Sequence, residues 1–124
     1  MTCRGIRGAI TVEDNKLGAI LAATRTLLEQ MTAANDLQME DVAGVIFTAT
    51  PDLDAAYPAR AARELGWVLT PLLCVQEMAV PESLPHCIRV LILWNTDLGP
   101  EEIHHVYLSG AKVLRPDLAG ESGE

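Results

Sequence analysis

Aromatic side chains are scarce. One Phe, two Tyr and two Trp make up 4% of the 124 residues, so the core has to be built from Leu, Val, Ile and Ala. Positive charge is also short: nine Lys and Arg stand against 17 Asp and Glu, for a formal net charge of −8. So acidic a chain is a poor ligand for phosphate backbones, which need a surplus of basic side chains, and for anionic membrane surfaces. No nucleic-acid or membrane partner is expected. The three cysteines, Cys3, Cys74 and Cys87, are odd in number and form no CxxC pair. That argues against a disulfide framework or a zinc site and for a reducing compartment. No apolar run approaches the ~18 residues of a spanning helix. Arg4 and Arg7 fall where the apolar stretch of a signal peptide would lie, so a cytoplasmic location is expected. His86, His104 and His105 have no Cys or carboxylate at metal-ligand spacing. There is no GxSxG, no P-loop and no dinucleotide fingerprint. Neither a metal nor a cofactor is expected.

What is present fits a single domain over residues 1–124. Cys3 to Val12 reads as a strand, with Ile6, Ile10 and Val12 on one face and Arg7, Ala9 and Thr11 on the other. Gly5 and Gly8 flank Arg7, where another group is expected to come close to the backbone. Lys16 to Ala34 carries Ile20, Leu21, Thr24, Leu27, Leu28 and Met31 at helical spacing. Val42 to Thr50 is the next strand, and Thr50-Pro51-Asp52 ends it, because a residue before proline avoids the helical region. Ala59 to Leu65 is a short helix, opened by Pro58 and closed by Gly66. Leu72 to Met78 and Cys87 to Trp94 are strands. The second has a nearly continuous apolar run, which predicts burial on both faces. A helical turn over Glu101 to His105, a short strand from Val106 to Leu108 and a tail mobile from about residue 116 complete the reading. The order β-α-β-α-β-β-β, with hairpins expected at the end, predicts an α+β fold: a mixed sheet with helices on one face. The other face then needs a partner, such as another subunit.

Among the residues suited to chemistry, Arg89 stands out, because it interrupts the apolar run Cys87 to Leu93. An unpaired guanidinium is very costly in such a place. Either Glu77 pairs with it in a purely structural salt bridge, or Arg89 is aimed at an anion from a rigid strand. Glu77 is correspondingly either a strand-end carboxylate in water or an acceptor in a polar pocket. Arg60 is placed to pair with Glu64 at i+4 on a solvated surface. Arg63 and Arg115 read, one by one, as surface groups, Cys74 as a core thiol, and Tyr57 and Tyr107 as packing residues or ligand contacts. The joint pattern says more. Arg7, Arg60, Arg63, Arg89 and Arg115 all lie in segments rich in Gly, Pro or apolar residues. An acidic chain that gathers Arg in this way is suited to a small polyanion, since the planar fork of Arg matches a carboxylate.

Seven segments, in order along nearly the whole chain, carry a family resemblance. They are Arg4-Gly5-Ile6-Arg7-Gly8-Ala9, Ala49-Thr50-Pro51-Asp52-Leu53, Ala62-Arg63-Glu64-Leu65, Cys74-Val75-Gln76-Glu77-Met78, Cys87-Ile88-Arg89-Val90, His105-Val106-Tyr107-Leu108 and Leu114-Arg115-Pro116-Asp117-Leu118. Together they resemble the monofunctional chorismate mutases of the trimeric α/β-barrel class. The resemblance implies a homotrimer with a barrel-like core and three active sites at subunit interfaces, converting chorismate to prephenate in aromatic amino-acid biosynthesis. It implies that Arg89 contacts the ether oxygen of the breaking bond and a carboxylate, and that Arg7 holds the side-chain carboxylate. Glu77 would accept from the ring hydroxyl, with Cys74 near the same hydroxyl, and Tyr107 would add a carboxylate contact. Tyr57 and Arg63 would come from the neighbouring subunit. Arg60 stands where the family often has Lys and Tyr57 where it often has Phe, while Leu114 and Arg115 would cover the site from the tail. The rearrangement needs no general base, nucleophile or metal, which suits a chain with none of those constellations. Two other readings stay open at this point: a deaminase on a similar trimeric scaffold, and a non-catalytic sensor of a small dicarboxylate.

Overall fold

The structure, a computed structural model, describes residues 1–114. Its elements are β1 (Thr2–Thr11), α1 (Leu17–Asn35), β2 (Val42–Ala49), α2 (Ala59–Glu64), β3 (Leu72–Gln76), β4 (Cys87–Thr96) and β5 (Val106–Leu108). Short 3-10 turns precede β2 at Met39–Asp41, precede β5 at Pro100–Glu102 and follow β5 at Ser109–Val113. The turn at Pro100–Glu102 replaces the longer helical turn expected up to His105.

The strands form one mixed sheet in the order β3-β2-β4-β1-β5. β4 runs antiparallel to both of its neighbours, β1 and β2, while β3 lies parallel to β2 and β5 parallel to β1. The hairpins expected among the last three strands are therefore absent from the described residues. After β3 at the edge, the chain crosses β2 and inserts β4 at the centre, between β2 and β1. The physical reason is its composition: the most continuously apolar strand of the chain gains most from a central place.

Burial on both faces of β4 is not what one chain provides. Ile88, Val90, Ile92 and Trp94 are buried, whereas Arg89, Leu91 and Leu93 between them stay half-exposed. The buried set joins Ile6 and Ile10 of β1, Val45 and Phe47 of β2, Ile20, Leu27, Leu28 and Met31 of α1, and Ala59 and Ala62 of α2 in one core. Both helices thus cover the same sheet face. What approaches β1 at Gly8 is α1 itself, since a Cβ there would run into the Met31 sulfur. The last turn of α1 is tied down by buried Asn35. Its amide donates to the carbonyls of Met31 and His104 at 3.0 and 2.9 Å, and its oxygen accepts from the His104 amide at 2.9 Å. Asp36 then turns left-handed, at φ 51°, and ends the helix.

The opposite face of the sheet has no such cover. It shows Leu73 and Val75, 57% and 41% exposed, beside half-buried Ile46, Leu91 and Leu93. No described helix is long and apolar enough to cross a membrane.

Candidate active site

Strand register builds the uncovered face row by row. Val75 pairs with Thr48, Thr48 with Arg89, Arg89 with Ala9, and Ala9 with Tyr107. Cross-strand partners share a face, so this one row spans all five strands and puts Arg89 at its centre. Arg7 lies one row away, opposite Leu91. Thr48, Arg89, Ala9 and Tyr107 of this row, with Arg7 and Ile46, line a cavity of about 300 Å³.

Glu77 reaches this face from just beyond β3. Its backbone amide donates to the Ala49 carbonyl at 3.0 Å. Its Oε2 accepts from the Thr48 hydroxyl at 2.6 Å and lies 2.9 Å from Arg89 Nε. The ion pair weighed from the sequence is therefore formed. It is not a directed hydrogen bond, because buried Arg89 Nε has no acceptor along its N–H direction. The Tyr107 hydroxyl is likewise buried and, among the described residues, without a hydrogen bond. Buried polar atoms are normally satisfied, so the Tyr107 hydroxyl in the same cavity as the Arg89 guanidinium marks a place for a polar ligand. Cys87, 0% exposed beneath this row, has its thiol pushed up to about 11: burial raises it, and Arg89 offsets only part of that. It is a neutral packing group at physiological pH.

The start of β4 is held by a second set of contacts. The Thr50 hydroxyl donates to Asp52 Oδ1 at 2.5 Å and accepts from the Cys87 amide at 3.0 Å. The His86 amide donates to the Asp52 carboxylate at 3.0 Å. Burial pulls the Asp52 carboxyl upward, but the Thr50 hydroxyl, the His86 amide and the His86 ring outweigh it and hold it below its ordinary value. This clamp holds the chain at Cys87, two residues before Arg89.

Tyr57, Arg60, Arg63 and Cys74 lie elsewhere. They line a separate cavity of about 540 Å³ around the start of α2 and the helix-facing side of β3. Cys74 pairs with Phe47 and packs against the main core, on the face away from Thr48. Tyr57 is 74% exposed, and Arg60 pairs with Glu64 at 3.1 Å on the surface. Asn15 fixes the loop before Tyr57 by accepting from the amides of Asp54 and Ala55, both at 3.0 Å. The two cavities share no lining residue. Leu114 packs with Tyr107 and Cys87, beside the first cavity. Arg115 lies outside the described residues, as does the tail expected to be mobile.

Thr48 and the Thr50–Asp52–His86 clamp were not singled out from the sequence. A threonine within a strand reads as an ordinary β-branched residue, and only register shows what its hydroxyl meets. Among the described residues, no three His, Cys, Asp or Glu side chains cluster closely enough to hold a metal ion.

A family model described as chorismate mutase type I matches residues 3–118. The chain belongs to that family. It is 56% identical over 116 residues to a chorismate mutase of Thermus thermophilus, covering 93% of this chain and 95% of that one. It is 48% identical over 120 residues to a chorismate mutase of Bacillus subtilis, covering 96% and 94%. The solved structure of a chorismate mutase from Clostridium thermocellum superposes with a TM-score of 0.87 at 52% identity, covering 89% of this chain and 98% of that one. The protein is a chorismate mutase, an isomerase that turns chorismate into prephenate. In this chorismate mutase, the described candidate site residues other than Leu114 and Glu77 line two separate cavities of the chain.

Proposed function

We propose that this chorismate mutase works as a cytoplasmic homotrimer in aromatic amino-acid biosynthesis. The uncovered sheet face of one subunit meets the α2 cavity of the next and completes three interfacial active sites around a barrel-like core. The observation that carries this reading is the buried Tyr107 hydroxyl, without a hydrogen bond among the described residues, in the same half-open cavity as the Arg89 guanidinium. The apolar sheet face supports it, because such a face is otherwise left in water. In a ring of identical chains each subunit offers one patch and receives the other, so both halves of the site come together three times.

On this reading Arg7 and Tyr107 hold carboxylates, and Arg89 serves a carboxylate and the ether oxygen. Glu77 accepts from the ring hydroxyl, and Tyr57, Arg60, Arg63 and Cys74, which line the α2 cavity, close the pocket from the neighbour. Leu114 and Arg115 cover it. The reaction breaks one C–O bond and forms one C–C bond within a single molecule, with no proton transfer. The enzyme has to hold a chair-like diaxial conformer and favour charge separation as the C–O bond opens. A modest enzyme must lower the barrier by about 8 kcal/mol. One well-aimed donor to a developing oxyanion supplies roughly 3–4 kcal/mol, and a fixed reactive conformer supplies much of the rest. The test combines two measurements on one sample: light scattering at micromolar concentration, and chorismate loss followed with prephenate appearance. A turnover-competent trimer is expected. A turnover-competent monomer would overturn the shared-site reading.

A further inference from the structure

Thr48 contributes the shortest side-chain contact to Glu77, and nothing in the roles above uses it. Its hydroxyl donates to Glu77 Oε2 at 2.6 Å, while the same oxygen faces Arg89 Nε at 2.9 Å. Among the described residues no hydrogen bond engages Oε1. The backbone adds to this arrangement. Thr48 pairs directly with Arg89 on one side and with Val75 on the other, and the Glu77 amide is held by the adjacent Ala49 carbonyl. Thr48 is thus the strand residue that sits between the carboxylate and the guanidinium and touches the former.

We propose that Thr48 is a positioning residue for the mutase reaction: its hydroxyl pins Oε2 of Glu77 and leaves Oε1 for the ring hydroxyl of the substrate. The physical argument is geometric. An Arg–carboxylate pair left to itself tends to close into a bidentate fork, with both oxygens engaged. A fork here would take both the acceptor meant for the substrate and the N–H groups meant for the ether oxygen. A hydroxyl donating to one carboxylate oxygen from the sheet opposes that rotation. Hydrogen bonds to ionised groups are strong enough for the choice of rotamer to depend on one of them. This inference rests on the assignment of Glu77 as the ring-hydroxyl acceptor.

The test is steady-state chorismate kinetics on trimers checked for melting temperature. Thr48→Val keeps the shape and the strand preference, so the sheet is retained. It is expected to lower kcat/KM roughly 10- to 100-fold, the range for losing one charge-assisted hydrogen bond. Thr48→Ala, which removes the hydroxyl without adding an apolar methyl in its place, is expected to give a similar loss. Thr48→Ser restores the donor and recovers most of the activity. In a Glu77→Gln background, Thr48→Val adds little further loss, because the group it positions is already altered. A merely structural threonine would give the opposite pattern: equal losses in both backgrounds and no recovery with serine. Either result overturns the proposal. A crippled Glu77→Gln beside a wild-type-like Thr48→Val overturns the role of Thr48 alone. A wild-type-like Glu77→Gln overturns the assignment of Glu77 and this inference with it.

Discussion

Arg89 and Arg63 are both guanidinium groups beside a cavity, and they are held in very different ways. Arg89 grows from the central strand, paired in register with Thr48 on one side and Ala9 on the other, with Glu77 against its Nε. Arg63 grows from the last turn of a six-residue helix, is exposed, and makes no ion pair among the described residues. The difference separates two tasks. A group that must meet a developing charge to within a fraction of an ångström belongs on a rigid strand. A group that closes a pocket from outside can be set by docking, and in a single chain it looks like any surface cation. The same contrast separates Tyr107, 5% exposed on β5, from Tyr57, 74% exposed ahead of α2.

Substitutions on the two sides sharpen that contrast, and the largest effect is expected at the floor. Arg89→Lys keeps the charge and loses the planar fork. We expect kcat to fall by at least about 100- to 1000-fold with the melting temperature nearly unchanged, as for removal of one oxyanion donor. Loss of stability with only a modest kinetic change would instead make the Arg89–Glu77 pair structural. On the rim, Arg63→Ala is expected to raise KM roughly 10-fold or more while kcat changes less, because it removes binding made before and during the reaction alike. An equal loss confined to kcat would put Arg63 among the groups that act on the breaking bond.

A smaller effect is expected at the clamp below Arg89. The folded-state carboxyl of Asp52 is held below its ordinary value. The stability it contributes is therefore present above that ordinary value and is lost as the pH falls through the depressed one. Asp52→Asn removes the titration. Melting curves taken between about pH 6 and pH 3 should show the wild type losing more on acidification than the variant. Parallel losses would show that Asp52 does not contribute to the acid limb. The carboxylate is partly exposed, so solvent screens the effect and keeps it modest.

How much of this was legible beforehand follows from what each kind of pattern encodes. Alternation in β1 assigns Ile6 and Ile10 to the core face and Arg7 and Ala9 to the other, and the structure places them so. Helical spacing locates the buried stripe of α1 from Ile20 to Met31, with only Leu21 less covered than expected. Alternation reports a residue's face but not its neighbour. It is silent on β4 slipping between β2 and β1, and so on the row Val75–Thr48–Arg89–Ala9–Tyr107. Thr48 was missed for that reason, and Asp52 because a Pro-Asp turn accounts for itself without further contacts. The separation of Cys74 from Glu77 has a related cause. The two stand three residues apart, which in an extended chain puts them on opposite faces, and here Cys74 joins the helix-side core.

The central claim is that neither half of the site suffices and that the halves come from different chains. Hybrid trimers test it most directly. Arg89→Lys and Arg63→Ala subunits, each weakly active alone, are co-expressed or mixed after dissociation, and turnover is read at chorismate concentrations below KM. Wherever an Arg63→Ala subunit supplies the sheet face and an Arg89→Lys subunit supplies α2, an intact site forms. Random assembly in a head-to-tail ring makes that about a quarter of all sites. The account predicts recovery toward about a quarter of wild-type activity on that statistical ground. Activity that stays at the average of the two parents, with mixed trimers shown to have formed, would mean that each site is built within one chain and would contradict the account.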